Sequence, residues 1–265
     1  MPFFVAPDGC RIHYETFGDH GPPVMLIPGL GGDGRFWNGV VEELQRHFRL
    51  TVVDHRGAGR SDRPEGSYSI GRISADFAAI AAAQGEPVHI VGHSTGGAIA
   101  QTLALDHPGV GLSFTISSSW ARADERFRML FIARAELLEA GLAESYQRMT
   151  HVFGHEAEYL DAHAERFETA VKAAPATLSP LDVTAGRVRM LLDHDRLVDL
   201  PRIDRPVHVI AADADILTPP YLSQAVSEAI PGSQFTMLTG AHFHPKDRPR
   251  QFAETIRHFI EKVRT

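Results

Sequence analysis

The sequence predicts an α/β fold: a mostly parallel, doubly wound sheet with a helical segment inserted between two of its strands. Three observations lead there. Short uninterrupted apolar runs recur along the chain, the pattern of strands buried on both faces. Helical patterns lie between them, and such alternation packs helices on both sides of a parallel sheet. From about residue 122 to residue 200 the alternation stops, and only helical patterns are found.

The first strand is expected over 11–17, which alternates apolar and polar residues and ends at Gly18. Continuous apolar strands follow at 24–27, 50–53, 88–91 and 207–210, with weaker candidates at 114–116 and 235–238. Helices are expected over 40–48, 73–83, 95–107, 220–230 and 252–263; the third stops before Pro108, which cannot continue a helix. Within the insertion the helical stretches are 123–140, 144–152, 158–173 and 188–197, joined by segments holding Gly154, Pro175, Pro180 and Gly186. The expected organisation is a core domain of residues 1–121 and 201–265 carrying a helical cap of residues 122–200.

Composition bounds the function. The 265 residues are 43% hydrophobic and 22% charged, enough apolar material for a sizeable core. The net charge of −7 and the scattered arginines give no concentrated positive face, so nucleic-acid binding has no support. The single cysteine, Cys10, can form neither an internal disulfide nor a multi-cysteine metal site. Residues 1–9 lack the basic and apolar regions of a signal peptide, and no run reaches the roughly 18 apolar residues of a membrane span. A cytoplasmic protein without membrane partners, monomer or homodimer, is expected.

The chemistry centres on Gly92-His93-Ser94-Thr95-Gly96, a G-x-S-x-G segment with a strand before it and a helix after it. The bare motif arises by chance in roughly one chain in ten, so the flanking strand and helix carry the argument. Gly92 and Gly96 allow strand and helix to approach closely, and Gly97 adds room. The helix N-terminus aims free N–H groups at the reacting centre. A serine hydroxyl needs a base to take its proton, normally a histidine oriented by a carboxylate. Both should follow later strands, in the order Ser, acid, His. Asp213 and Asp215 follow the strand at 207–210, and His242 and His244 follow the strand at 235–238.

Taken with Ile27-Pro28-Gly29-Leu30-Gly31-Gly32, Asp54-His55-Arg56-Gly57-Ala58-Gly59-Arg60-Ser61-Asp62, Asp215-Ile216-Leu217-Thr218-Pro219, and His242 ahead of Asp247-Arg248-Pro249, the chain resembles the α/β-hydrolase family, serine hydrolase branch, over nearly its whole length. The resemblance implies Ser94 as nucleophile, Asp215 rather than Asp213 as the acid, and His242 rather than His244 as the base. Asp213 then reads as a solvated loop residue, His244 as a pocket-rim or surface residue, and His93 as pointing away from the reaction. Asp54 and Arg56 read as loop braces. Thr95, the residue after the nucleophile, supplies one oxyanion N–H, and by resemblance Leu30 supplies the other. Pro28 stands where many members carry histidine, and cannot make that side chain's bonds. Ala212 stands where glycine is usual.

The implied mechanism is acyl transfer through a Ser-His-Asp triad and an acyl-enzyme, with no metal or organic cofactor. Within the family the chain is most similar to the 3-oxoadipate enol-lactonase and aminoacrylate hydrolase groups, through Gly29-Leu30-Gly31-Gly32, Phe36-Trp37 and Ser119-Trp120-Ala121-Arg122. Both groups handle small carboxylated molecules. The expectation is a small carboxylic ester or (enol-)lactone, with Gly29, Trp120 and Arg122 binding substrate, and Arg122 or another arginine of the insertion pairing with a carboxylate. The same triad also serves C–C bond, carbamate or enamine hydrolysis and perhydrolysis, and a ligand receptor can be built on this scaffold.

Overall fold

In a computed structural model, which describes residues 2–263, eight strands form one sheet in the order β1-β2-β4-β3-β5-β6-β7-β8. The strands are β1 (Phe3–Val5), β2 (Arg11–Phe17), β3 (Pro23–Ile27), β4 (Arg49–Val53), β5 (Val88–His93), β6 (Gly111–Ser117), β7 (Val207–Ala212) and β8 (Gln234–Leu238). From β4 through β8 every pairing is parallel, whereas β1 and β2 run antiparallel at one edge. Every strand expected from the sequence is present. β1 was not anticipated: three residues are too few to show a period, and pairing with β2, Phe3 opposite His13, holds them extended.

Along β3, alternate side chains enter different cores. Met25 and Ile27 pack with Phe77, Ile99 and Leu103 under helices α2 (Ile70–Ala83) and α3 (Thr95–Asp106). Val24 and Leu26 pack with Trp37, Leu44, Phe252 and Ile256 under α1 (Asn38–Leu44) and α11 (Pro249–Val263). This is the period-two geometry of a strand, with both faces apolar because helices cover both.

Five helices lie between β6 and β7: α4 (Glu125–Glu139), α5 (Ala143–Gly154), α6 (Ala157–Ala162), α7 (Ala164–Thr177) and α8 (Leu181–Arg189). Trp120, Phe127, Phe131, Leu138 and Val188 from this stretch join the same apolar cluster as α2 and α3. Two expectations change here. The single helix over 158–173 breaks at His163, whose ring nitrogen takes up the carbonyl of Tyr159. The helix expected over 188–197 lies earlier, as α8: Gly186 is inside it, and burial of Thr184, Ala185, Arg187 and Val188 outweighs glycine's weak helix propensity. Pro175 sits inside the last turn of α7. No helix among the described residues is long and apolar enough to cross a membrane. The remaining helices are α9 (Pro220–Ala229) and the single turn α10 (His244–Asp247).

Several imidazoles are folded into this core. Burial pushes His194, His208 and His244 down to about 4. In the unfolded chain they titrate near ~6.5. Between those values the unfolded chain binds more protons, so stability is full above the upper value and declines as pH falls toward the lower one. The melting temperature should therefore hold between pH 7 and 8 and drop progressively as pH is lowered below about 6.5; thermal denaturation across that range checks it, and a flat profile down to pH 5 would contradict it.

Candidate active site

Parallel strands deliver their C-terminal ends to one edge of the sheet, and the expected chemistry gathers there. Ser94 is the single residue between β5 and α3, with φ 55° and ψ −117°. Its N–H donates to the Ser117 carbonyl at 2.8 Å, and its carbonyl accepts from Gly97 N–H and from the Ser119 hydroxyl at 2.9 Å. Glycine is obligatory around it. A Cβ on Gly92 would run into the Gly96 backbone, and one on Gly96 into the Ile27 carbonyl. The first amides of α3 have no acceptor inside the helix. Thr95, which carries the first, lines the same cavity as Ser94.

Asp215 follows β7 in a tight turn. Its Oδ1 accepts the N–H groups of Leu217 and Thr218, each at 2.9 Å, and its Oδ2 accepts His242 Nδ1 at 2.8 Å. Thr218 Oγ1 lies 3.0 Å from the same Oδ2 and 2.9 Å from the Ser118 carbonyl. Asp215 and His242 are buried, at 3% and 1% exposure, so the pair is shielded from water and salt. A carboxylate on Nδ1 fixes the proton there and leaves Nε2 with its lone pair. His242 and Ser94 line one cavity. His93 is fully buried beside them: it stacks on Phe36 at 5.1 Å, its ring lies 4.8 Å from that of His242, and burial holds it neutral.

The turn after β3 carries Gly29, Leu30 and Gly32. Gly29 lies against the nucleophile, since a Cβ there would be 3.3 Å from Ser94 Cβ. Bracing comes from the backbone and neighbouring residues, not from the Pro28 ring: Gly32 N–H closes the turn on the Gly29 carbonyl, His55 N–H holds the Gly32 carbonyl at 2.8 Å, and Asp54 accepts Gly34 N–H at 2.7 Å. Asp54 is thus a loop brace, and Arg56 is another, joined to Asp76 and Asp8.

The cavity has a volume of about 430 Å³, within the range of small-molecule sites. Gly29, Leu30, Ser94, Thr95 and His242 line it, together with Phe131, Arg134, Tyr146, His151 and Arg187 from α4, α5 and α8.

Residues 22–249 match the family described as alpha/beta hydrolase fold. The chain is an α/β hydrolase. A protein of Azorhizobium caulinodans named as the carbamate hydrolase RutD is 32% identical to this hydrolase over 99% of each chain. Among solved structures, the enol-lactonase of Burkholderia xenovorans LB400 superposes with a TM-score of 0.89 at 22% identity, covering 98% of this chain and 100% of that one. An α/β hydrolase enzyme from a Medee basin deep-sea metagenome library gives 0.92 at 20% identity, over 98% and 97%. At those identities the structural likeness concerns the fold.

Three expectations about this hydrolase's site require correction. Trp120 is fully buried against Phe127 and His194 and does not line the cavity. Arg122 is half exposed, bridged to Asp195 at 2.8 Å, and turned away from the cavity by that pairing. His244 is neither rim nor surface. It is 1% exposed, packed between His93 and Phe252 beneath the serine turn, because α10 directs it inward. Asp213 is exposed, as expected, and accepts Gly240 N–H at 3.0 Å.

Other residues had no signal in the sequence. His155, at the end of α5, lines the cavity and pairs with Asp247 at 2.6 Å. Arg134 and Arg187 were two arginines among many. The Ser117-Ser118-Ser119 run could have drawn notice as the end of β6, where it holds both backbone groups of Ser94.

The tight approach at the serine turn sets a mutational limit. Gly92→Ala should cost about 1–3 kcal/mol by overpacking, on the order of 2–10 °C in Tm for a chain of this size; differential scanning calorimetry reads it directly.

Proposed function

We propose that this α/β hydrolase is a serine hydrolase that cleaves a small carboxylic ester or lactone through Ser94, His242 and Asp215 and an acyl-enzyme. The observation that carries the reading is the 2.8 Å bond from Asp215 to His242 Nδ1, with His242 and Ser94 lining one cavity. His242 Nε2 takes the Ser94 proton as Oγ attacks the acyl carbon. The developing imidazolium is balanced by the Asp215 carboxylate, itself held by two backbone N–H groups. The N–H groups of Thr95 and Leu30 receive the oxyanion. His242 then returns the proton to the leaving oxygen, and water, activated by the same imidazole, releases the acid. Residues 122–200 act as a cap over the cavity, which favours a small substrate over a polymer. Gly29 contributes to substrate binding through its approach to Ser94.

A second reading, carbamate hydrolysis with a carbamoyl-enzyme in place of the acyl-enzyme, is favoured by the name of the relative at 32% identity. The same residues perform it, and only the acyl group differs.

A panel of p-nitrophenyl esters, small lactones and small carbamates tests both. Ser94→Ala should abolish turnover and labelling by a fluorophosphonate. Asp215→Asn should lower kcat by roughly 10⁴-fold, since the wrong histidine tautomer then faces the serine. Undiminished ester hydrolysis by Ser94→Ala would refute the assignment.

A further inference from the structure

The turn after β3 carries proline at position 28, and a residue of the helical insertion reaches that turn from outside. Arg187, on α8, is 3% exposed. A Cβ on Gly57 would come within 3.0 Å of its Cδ, and a Cβ on Gly32 within 2.4 Å of its Nη2. Both glycines have positive φ, +81° and +66°. Gly57 belongs to the loop after β4 and Gly32 to the loop after β3. One side chain therefore fills the space that glycine leaves in two separate loops.

Arg187 Nη2 meets His55 Nδ1 at 3.1 Å. A guanidinium has donors only, so Nδ1 accepts and the ring proton sits on Nε2. His55 is fully buried, and burial, reinforced by the Arg187 charge, pushes it well below the usual imidazole range. Its Nε2 is buried without a hydrogen-bond partner, and the Pro28 carbonyl lies beside the ring. The backbone of the same residue completes the path. His55 N–H holds the Gly32 carbonyl at 2.8 Å, and Gly32 N–H holds the Gly29 carbonyl at 2.9 Å, with Leu30 inside the turn so closed. What the guanidinium holds is thus a neutral ring and, through that residue's backbone, the turn. An imidazole from residue 55 stands beside a turn whose own position 28 cannot supply one.

We propose that Arg187 is a positioning residue: through His55 it fixes the turn that sets the Leu30 N–H against the oxyanion. It acts on no reacting atom itself, and its effect runs through the loop. The proposal rests on the reading of Ser94 as nucleophile and Leu30 as oxyanion donor. Such a donor works by being in place before the charge develops, and a displacement of about 1 Å costs as much as ~10²-fold in rate. A helix of the insertion thereby takes part in the chemistry at the sheet edge without touching it.

Two measurements test it. Arg187→Met keeps the length of the side chain and removes its donors; His55→Phe keeps a ring and removes the acceptor. First, each is compared with the wild type in hydrolysis of p-nitrophenyl acetate, an uncharged ester whose kinetics an arginine that only attracted anions would leave unmoved. Both variants should lower kcat about 10–100-fold with KM changed less than about twofold, the mark of an interaction made in the transition state. The double variant should lose no more than the worse single one, because the two residues share one contact, and Arg187→Lys should recover part of the loss. Second, hydrogen exchange read by mass spectrometry follows the turn without turnover. Peptides covering residues 27–34 should exchange about tenfold faster in both variants, with those covering 88–93 unchanged. Unchanged exchange at 27–34, or losses in kcat that multiply in the double variant, overturns the brace. Faster exchange with undiminished kcat overturns the positioning role. If turnover survives Ser94→Ala, the nucleophile reading fails by itself, and the exchange measurement still decides whether Arg187 holds the turn. Should Arg187→Met not fold, His55→Phe and Arg187→Lys carry the same two measurements.

Discussion

The backbone of Ser94, at φ 55° and ψ −117°, is the constraint on which the site is built. A non-glycine residue in so sparsely populated a region costs about 1–3 kcal/mol and persists only where its surroundings hold it. Here the strand before it and the helix after it are both fixed by the sheet, and Ser117 and Ser119 take up its N–H and carbonyl. The turn is so tight that Gly92 and Gly96 admit no side chain. One consequence is that the serine lies just past the C-terminal end of β5, against the cavity. Another is that the first amides of α3, which have no acceptor inside the helix, begin beside it at Thr95.

Polar groups around this turn differ in how completely they are satisfied. Asp215 has two backbone donors and an imidazole. Burial pushes His93 and His244, which pack beside His242, down from the usual imidazole range, so neither brings a positive charge against the His242–Asp215 pair. Arg134 and Arg187, in contrast, are buried and have no carboxylate partner among the described residues. A fully satisfied group orients chemistry already in place, whereas an unsatisfied one leaves binding capacity for a ligand.

The helices between β6 and β7 are joined to the loop that carries His242 by consecutive contacts. Gly154 accepts the N–H of Phe243 at 2.7 Å, His155 pairs with Asp247, and Glu156 pairs with Arg248. A Cβ on Gly154 would meet the Phe243 ring. The end of α5 and the histidine loop therefore form one packed unit, and α5 bears on the position of the imidazole.

The serine turn and the order of all strands but β1 were legible in the sequence; Asp215 and His242, expected there as partners of Ser94, are bonded to one another, and His242 lines the cavity of Ser94. The elements and the turn rest on local physics, apolar runs where strands are buried and glycine where backbones touch, whereas the choice of Asp215 over Asp213 and of His242 over His244 rested on the family resemblance. The long helical stretch between residues 122 and 200 was legible as helical, but not in its boundaries, because burial rather than propensity decided where α8 lies. What the sequence could not reveal is which polar residues of that stretch reach the cavity. Arg122 and Arg187 carry the same side chain, but Arg122, ahead of α4, is bridged to Asp195 at the surface, whereas Arg187, within α8, lies over Gly32. His244 likewise differs from His242 only in the direction a single turn gives it. Sequence spacing determines which residues share a loop; the packing of distant elements determines which of them meet a substrate.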